Sequence, residues 1–146
     1  MPWVVDTCVL LDLVIGTDLH MAEAEAVLGR AGALVICPVS LVELGPTFQD
    51  AGKLRDFLVD YGVDGSEAFT SEDAEVGRAA WQRIIALRRV TGSPRRPIAD
   101  VLIGAFAHRR SGLITRNACD FLTLYPTLSI WEPGEVSPRS TSCEVR

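Results

Sequence analysis

The sequence is poor in the residues that build most zinc and redox sites. Its 146 residues include only two histidines and four cysteines. Cys8, Cys37, Cys119 and Cys143 are far apart, so no C-x-x-C pair exists. That excludes a zinc knuckle and a thioredoxin-type motif, and so few cysteines argue against a secreted disulfide scaffold. Long apolar runs are missing as well. The longest stretch without a charge, residues 31–42, is too short to cross a bilayer. The N-terminus has no basic stretch, and Asp6 and Asp12 interrupt its apolar run, so no signal peptide is expected. Positive charge is not in excess. A formal net charge of −5 excludes a general polyanion binder. These absences lead us to expect a cytoplasmic protein with no membrane segment.

What is present suits a packed domain. Hydrophobic residues make up 48% of the chain and charged residues 23%, enough for a core and unlike a disordered chain. The length predicts one domain, over residues 1–132. The Pro-, Ser- and Thr-containing remainder, 133–146, has little to bury and is expected to be a flexible tail.

Hydrophobic periodicity predicts strands alternating with helices. Trp3-Val4-Val5 reads as a strand that stops at Asp6. Val9, Leu10, Leu13 and Val14 follow at helical spacing up to Gly16. Asp18 is expected to cap a second helix, to about Arg30. Residues 34–37 form an apolar run of strand length. Ser40 is expected to cap a helix over about 41–50, and Leu54, Phe57, Leu58 and Tyr61 mark another. Thr70 and Asp73 form an acidic variant of a capping box that opens a long helix through about Val90. Residues 92–96 read as a loop, and Pro97 suits the first position of a helix to Arg110. A strand at 113–115, a short helix at 119–124 and a strand at 128–131 complete the pattern. It predicts an α/β fold with a mostly parallel sheet, whose sites form at the carboxyl ends of the strands.

Four acids fall where those strand ends and helix starts gather. Asp6 ends the first strand, with Thr7 beside it to hold its carboxylate. Glu43 lies among Val39, Leu41, Val42 and Leu44. Asp100 interrupts an otherwise apolar run, and Asp120 follows the strand near Thr115. Singly, each has a structural explanation: helix caps for Asp6 and Asp120, a first-turn acid for Asp100, a surface residue for Glu43. Together they point to a shared site. Converging carboxylates repel one another and raise each other's pKa, and a divalent cation resolves the conflict. Oxygen ligands favour Mg²⁺ or Mn²⁺ over zinc, and such a site suits phosphodiester hydrolysis. Asp12 is expected to be exposed, and the acids from Asp50 to Glu75, Asp73 among them, to form a solvated face. His20 and His108 read as ordinary surface residues.

The net charge hides a division. Residues 1–77 carry −11, residues 78–116 carry +8 with nine arginines against Asp100 alone, and the rest carries −2. Arginine suits bidentate phosphate contacts. Arg95 and Arg96, in the loop before Asp100, and Arg116, between Thr115 and Asn117, are the candidate phosphate contacts.

Four segments carry a family resemblance. Val4-Val5-Asp6-Thr7-Cys8-Val9-Leu10-Leu11-Asp12, Pro38-Val39-Ser40-Leu41-Val42-Glu43-Leu44, Ile98-Ala99-Asp100-Val101-Leu102-Ile103-Gly104-Ala105 and Leu113-Ile114-Thr115-Arg116-Asn117-Ala118-Cys119-Asp120-Phe121 together resemble a PIN-domain ribonuclease. Among such proteins the chain looks most like the VapC-type toxins of toxin–antitoxin pairs. The resemblance implies an α/β/α sandwich around a parallel sheet, and metal-dependent RNA cleavage with Mg²⁺ or Mn²⁺. It implies Asp6, Glu43, Asp100 and Asp120 as catalytic and metal-binding residues, supported by Thr7, Thr115 and Asn117. Many relatives carry an aspartate where Asn117 stands, which leaves the number of metals open. A homodimer and a small antitoxin whose basic side chain reaches the acids are implied as well. The rival reading is a PIN-like RNA-binding or regulatory module with little or no catalysis, for which crowded carboxylates serve no purpose. A dehalogenase-type phosphatase ranks lower, because Cys8 stands where its second aspartate belongs.

Overall fold

The computed structural model describes residues 1–91 and 98–139. In chain order the elements are β1 (Trp3–Val5), α1 (Thr7–Ile15), α2 (Asp18–Ala31), β2 (Leu34–Val35), α3 (Pro38–Glu43) and α4 (Ala51–Asp60). Then come β3 (Val63–Asp64), α5 (Ser71–Thr91), α6 (Ile98–His108), β4 (Gly112–Ile114), α7 (Ala118–Leu124) and β5 (Ile130–Trp131). The predicted loop at 92–96, with Arg95 and Arg96, and the predicted helix start at Pro97 lie outside the described residues.

The strands pair in parallel in the order β3-β2-β1-β4-β5. Period-two alternation sorts their side chains onto two faces. Val4, Val35, Leu113 and Ile130 join one buried cluster with Ala80 of α5, Phe106 of α6 and Phe121 of α7. Val5, Leu34, Ile114 and Trp131 join the other, with Leu10 of α1, Val27 of α2 and Leu58 of α4. Helices thus cover both faces, which is why β1, β2, β4 and β5 carry no charged residue, while edge strand β3 ends on the exposed Asp64. The result is the expected α/β/α sandwich.

The chain leaves β1 toward β2 on one side and later returns to β4 on the other. Strand order therefore reverses between β1 and β4, the place where a parallel sheet of this kind leaves a crevice at its carboxyl ends. Asp6 follows β1 and Thr115 follows β4, so the two residues flank that crevice. Helix α6 reaches β4 through residues 109–111 and runs against the strands, packing on β1 and β4. Its first turn, with Asp100, is thereby carried to the same edge.

Several local expectations change. Thr17, not Asp18, caps α2, accepting the His20 amide at 3.2 Å. Helix α3 begins at Pro38, whose fixed φ suits a first turn, so Ser40 lies inside the helix instead of capping it. That helix ends at Glu43, and the next is capped separately by Asp50. Edge strand β3 has only two residues, too few for a periodic signal. The tail expected to be flexible from residue 133 folds back in its first part. Arg139 bridges Ile130 antiparallel, and Trp131 Nε1 donates to the Glu135 carbonyl at 3.1 Å.

Gly104 shows how tightly α6 is packed. A Cβ there would come within 2.6 Å of Tyr125 Cδ2, and the Tyr125 hydroxyl is anchored on the Val101 carbonyl at 2.6 Å. The ring is buried, so it can yield only by moving its neighbours. Gly104→Ala should cost about 1–3 kcal/mol through overpacking, read as a lower denaturation midpoint at unchanged m-value. An unchanged midpoint would show that the ring relaxes freely.

Candidate active site

Asp6 stands at the N-cap position of α1, yet its side chain makes no capping hydrogen bond. The carboxylate is buried and turns instead toward β4. Thr115 donates from Oγ1 to Asp6 Oδ2 at 2.7 Å, and the Cys8 thiol donates to the same oxygen at 3.2 Å. Thr115 is itself held, since its Oγ1 accepts the Asn117 amide at 3.0 Å. Burial pushes the Asp6 pKa up, and the neighbouring charge of Glu43 adds to this; hydrogen bonds from Thr115, Cys8 and the Thr7 amide offset only part of the rise. Burial beside that carboxylate pushes the Cys8 thiol up to about 12, so it stays protonated and acts as a donor.

Thr7 behaves differently from the expectation. Its hydroxyl does not hold Asp6 but donates to Glu43 Oε1 at 2.6 Å. This ties the last residue of α3 to the first residue of α1, and it brings the Glu43 carboxylate to the mouth of the crevice. Asp100 lies half-buried in the first turn of α6, and Asp120 is exposed in the first turn of α7. Asn117, not Asp120, occupies the α7 cap. Among the described residues no three histidines, cysteines or acids stand close enough to hold a metal ion. The structure thus couples Asp6 with Glu43 and sets Asp100 and Asp120 on elements at the same edge, without gathering all four at one point.

The donor set fits a hard divalent cation. Asp6 is desolvated, its charge is opposed by Glu43, and the nearby side chains offer carboxylate and hydroxyl oxygen. Mg²⁺ or Mn²⁺ takes such oxygens, and a positive charge there would relieve the cost of burying Asp6.

Two further groupings were not foreseen. Arg116 does not stand free for phosphate. It binds Asp12 through Nε, Glu23 through Nη1 at 2.9 Å and the His20 carbonyl through Nη2 at 3.0 Å. Asp12, expected to be exposed, is only 16% accessible in this pair. Asp73, expected on a solvated face, is fully buried. It completes the predicted capping box with Thr70 and also meets Arg109 and Arg110 at 3.0 and 3.3 Å. Arg110 pairs with Glu67 as well, and Arg78 with Glu75. Much of the charge division along the chain is therefore neutralised within the fold. Sequence spacing holds no signal for these pairs, because their partners lie 36 or more residues apart, Arg78 with Glu75 excepted.

A parallel α/β/α sandwich with a buried, hydroxyl-held aspartate at the strand-order reversal defines a class of nuclease-like domains. The chain belongs to the PIN domain family, whose profile matches residues 3–119. Domains of this family are generally nucleases, usually metal-dependent ribonucleases. No curated protein matches the chain. No helix among the described residues is long and apolar enough to cross a membrane.

Proposed function

We propose that the protein is a metal-dependent endoribonuclease and the toxin of a VapC-type toxin–antitoxin pair. Asp6, Glu43, Asp100 and Asp120 hold Mg²⁺ or Mn²⁺ and hydrolyse RNA phosphodiester bonds. The observation that carries this reading is Asp6: a buried carboxylate that caps no helix, faces a second acid and lines the crevice between β1 and β4. A fold keeps so costly a group when its charge has work to do.

The bound cation would neutralise the scissile phosphate and acidify a water. The chain's own residues hold it in register. Thr115 and Cys8 fix the rotamer of Asp6, Asn117 fixes Thr115 through its amide, and Thr7 fixes Glu43. Asp100 and Asp120 approach from the first turns of α6 and α7. Arg95 and Arg96, a few residues before α6 in sequence, supply phosphate contacts. The acidic mouth suits a basic side chain from a small antitoxin, and the working form is a homodimer in the cytoplasm.

Purified protein incubated with total cellular RNA tests the reading. Cleavage should appear with Mg²⁺ or Mn²⁺ and vanish with EDTA. Outer-shell partners of a metal are typically worth about 10–100-fold, so Asp100→Asn, which removes a ligand, should lose at least about 100-fold. RNA binding without cleavage under every metal condition would overturn the nuclease in favour of a binding module. Induced expression should arrest growth, and co-expression of a small neighbouring open reading frame should relieve it. Growth unaffected by an active enzyme would remove the toxin role.

A further inference from the structure

Arg116 sits one residue beyond Thr115, in the turn that leaves β4, and it reaches two helices on the other side of the crevice. Asp12 lies on α1, one helical turn beyond Cys8, and Glu23 lies on α2. The Arg116 guanidinium binds Asp12, so the residue holds α1 one turn beyond the thiol that meets Asp6. Glu23 and the His20 carbonyl take the remaining directions of the fork. Arg116 is 20%, Asp12 16% and Glu23 26% exposed, so solvent screens these pairs only in part. The turn held in this way carries the Thr115 hydroxyl to Asp6, and Thr115 Oγ1 also lies 3.8 Å from Cys8 Sγ.

We propose that Arg116 is a positioning residue: clamped by Asp12 and Glu23, it fixes the turn after β4 so that the Thr115 hydroxyl stays on Asp6. Lysine would not substitute, because a single ammonium cannot present a planar fork to three acceptors. The kinetic consequence rests on the ribonuclease reading above; the structural one does not.

The test separates a clamp from a direct phosphate contact, because the two make opposite predictions. Asp12→Asn with Glu23→Gln keeps the side-chain shapes and releases Arg116. A clamp requires kcat to fall by about 10–100-fold in this double variant, the range a small misplacement produces, with KM unchanged. Arg116→Ala and Arg116→Lys should fall with it. In metal-free protein, hydrogen exchange at the Asn117 amide, which is bonded to Thr115 Oγ1, should quicken in all three. If the double variant keeps its kcat and binds RNA more tightly while Arg116→Ala raises KM, the residue is a phosphate contact and the clamp is wrong. Unchanged exchange at Asn117 overturns it as well. Should the wild type cleave no RNA, the ribonuclease reading fails and the exchange rates alone decide the clamp. Should Arg116→Ala not fold, the double variant carries the comparison.

Discussion

Asp6→Asn is expected to abolish metal-dependent cleavage and, at the same time, to stabilise the metal-free protein. The loss should reach at least about 10²–10³-fold, the scale of removing one group that meets developing charge directly. The gain follows from burial. The wild-type side chain is 5% exposed, faces Glu43 and has no basic side chain among its hydrogen-bond partners. Asparagine keeps an oxygen to accept from Thr115 and Cys8 and removes the charge. Relieving such a site commonly yields about 0.5–2 kcal/mol. At this chain length that is a rise in melting temperature of a few degrees. Added Mg²⁺ should then reverse the order. A ligand that binds only the folded state stabilises by about 2.7 kcal/mol at one hundred times its Kd, and the variant should lose most of that response. Melting curves in EDTA and in Mg²⁺ measure both terms. A variant less stable than wild type in EDTA would show that Asp6 is held for the fold, not for a cation.

The sequence makes the sheet and its edge readable because both are local. Val4 and Val5, like Leu113 and Ile114, are short apolar runs that point to opposite faces, and each is followed at once by the polar residue that matters, Asp6 or Thr115. The capping box of Thr70 and Asp73 is local too, spanning three residues, and it forms as the spacing requires. Pro38 signals a helix start more strongly than Ser40, since a fixed φ outranks a side chain that can point elsewhere. Strand β3 leaves no signal, because Val63 and Asp64 owe their conformation to pairing with Leu34 and Val35.

The site is legible in its acids and illegible in what holds them. An aspartate ending a strand stands out in any apolar run. That Thr7 turns to Glu43 and not to Asp6 depends on where α3 ends, 36 residues away. Cys8 offers no chemical signal either. Only its place at the start of α1, beside Thr115, makes it a donor to Asp6. The arginines mislead for a similar reason. A run of like charge suggests a polyanion, but Arg109, Arg110 and Arg116 find their anions in the acidic first half of the same chain.

Asp73 should therefore be among the most costly residues to remove, although it lies outside the candidate site. Its Oδ2 accepts the Thr70 amide at 2.9 Å, and its Oδ1 takes Arg109 and Arg110 at 3.0 and 3.3 Å. Arg110 is only 7% exposed, lies over the Phe106 ring and keeps Glu67 as its other acid. Asp73→Ala leaves a buried guanidinium half-paired and an amide at the start of α5 without its acceptor. Breaking a buried pair from one side costs about 3–5 kcal/mol; Glu67 and the partial exposure of Arg109 place this case at about 3. That lowers the melting temperature by roughly 10 °C. Acid should reveal the charge separately. Burial alone would raise the Asp73 pKa, but the Thr70 amide and the two arginines outweigh it and hold the carboxyl below its ordinary value. A depressed folded-state pKa gives stability that is complete above the unfolded value of about 3.9 and is lost as pH falls through the folded one. The stability gap between wild type and Asp73→Asn should thus stay constant from neutral pH to about 5 and narrow below about 4. A gap that persists at pH 2 would assign the cost to lost packing and hydrogen-bond shape, not to the ion pairs.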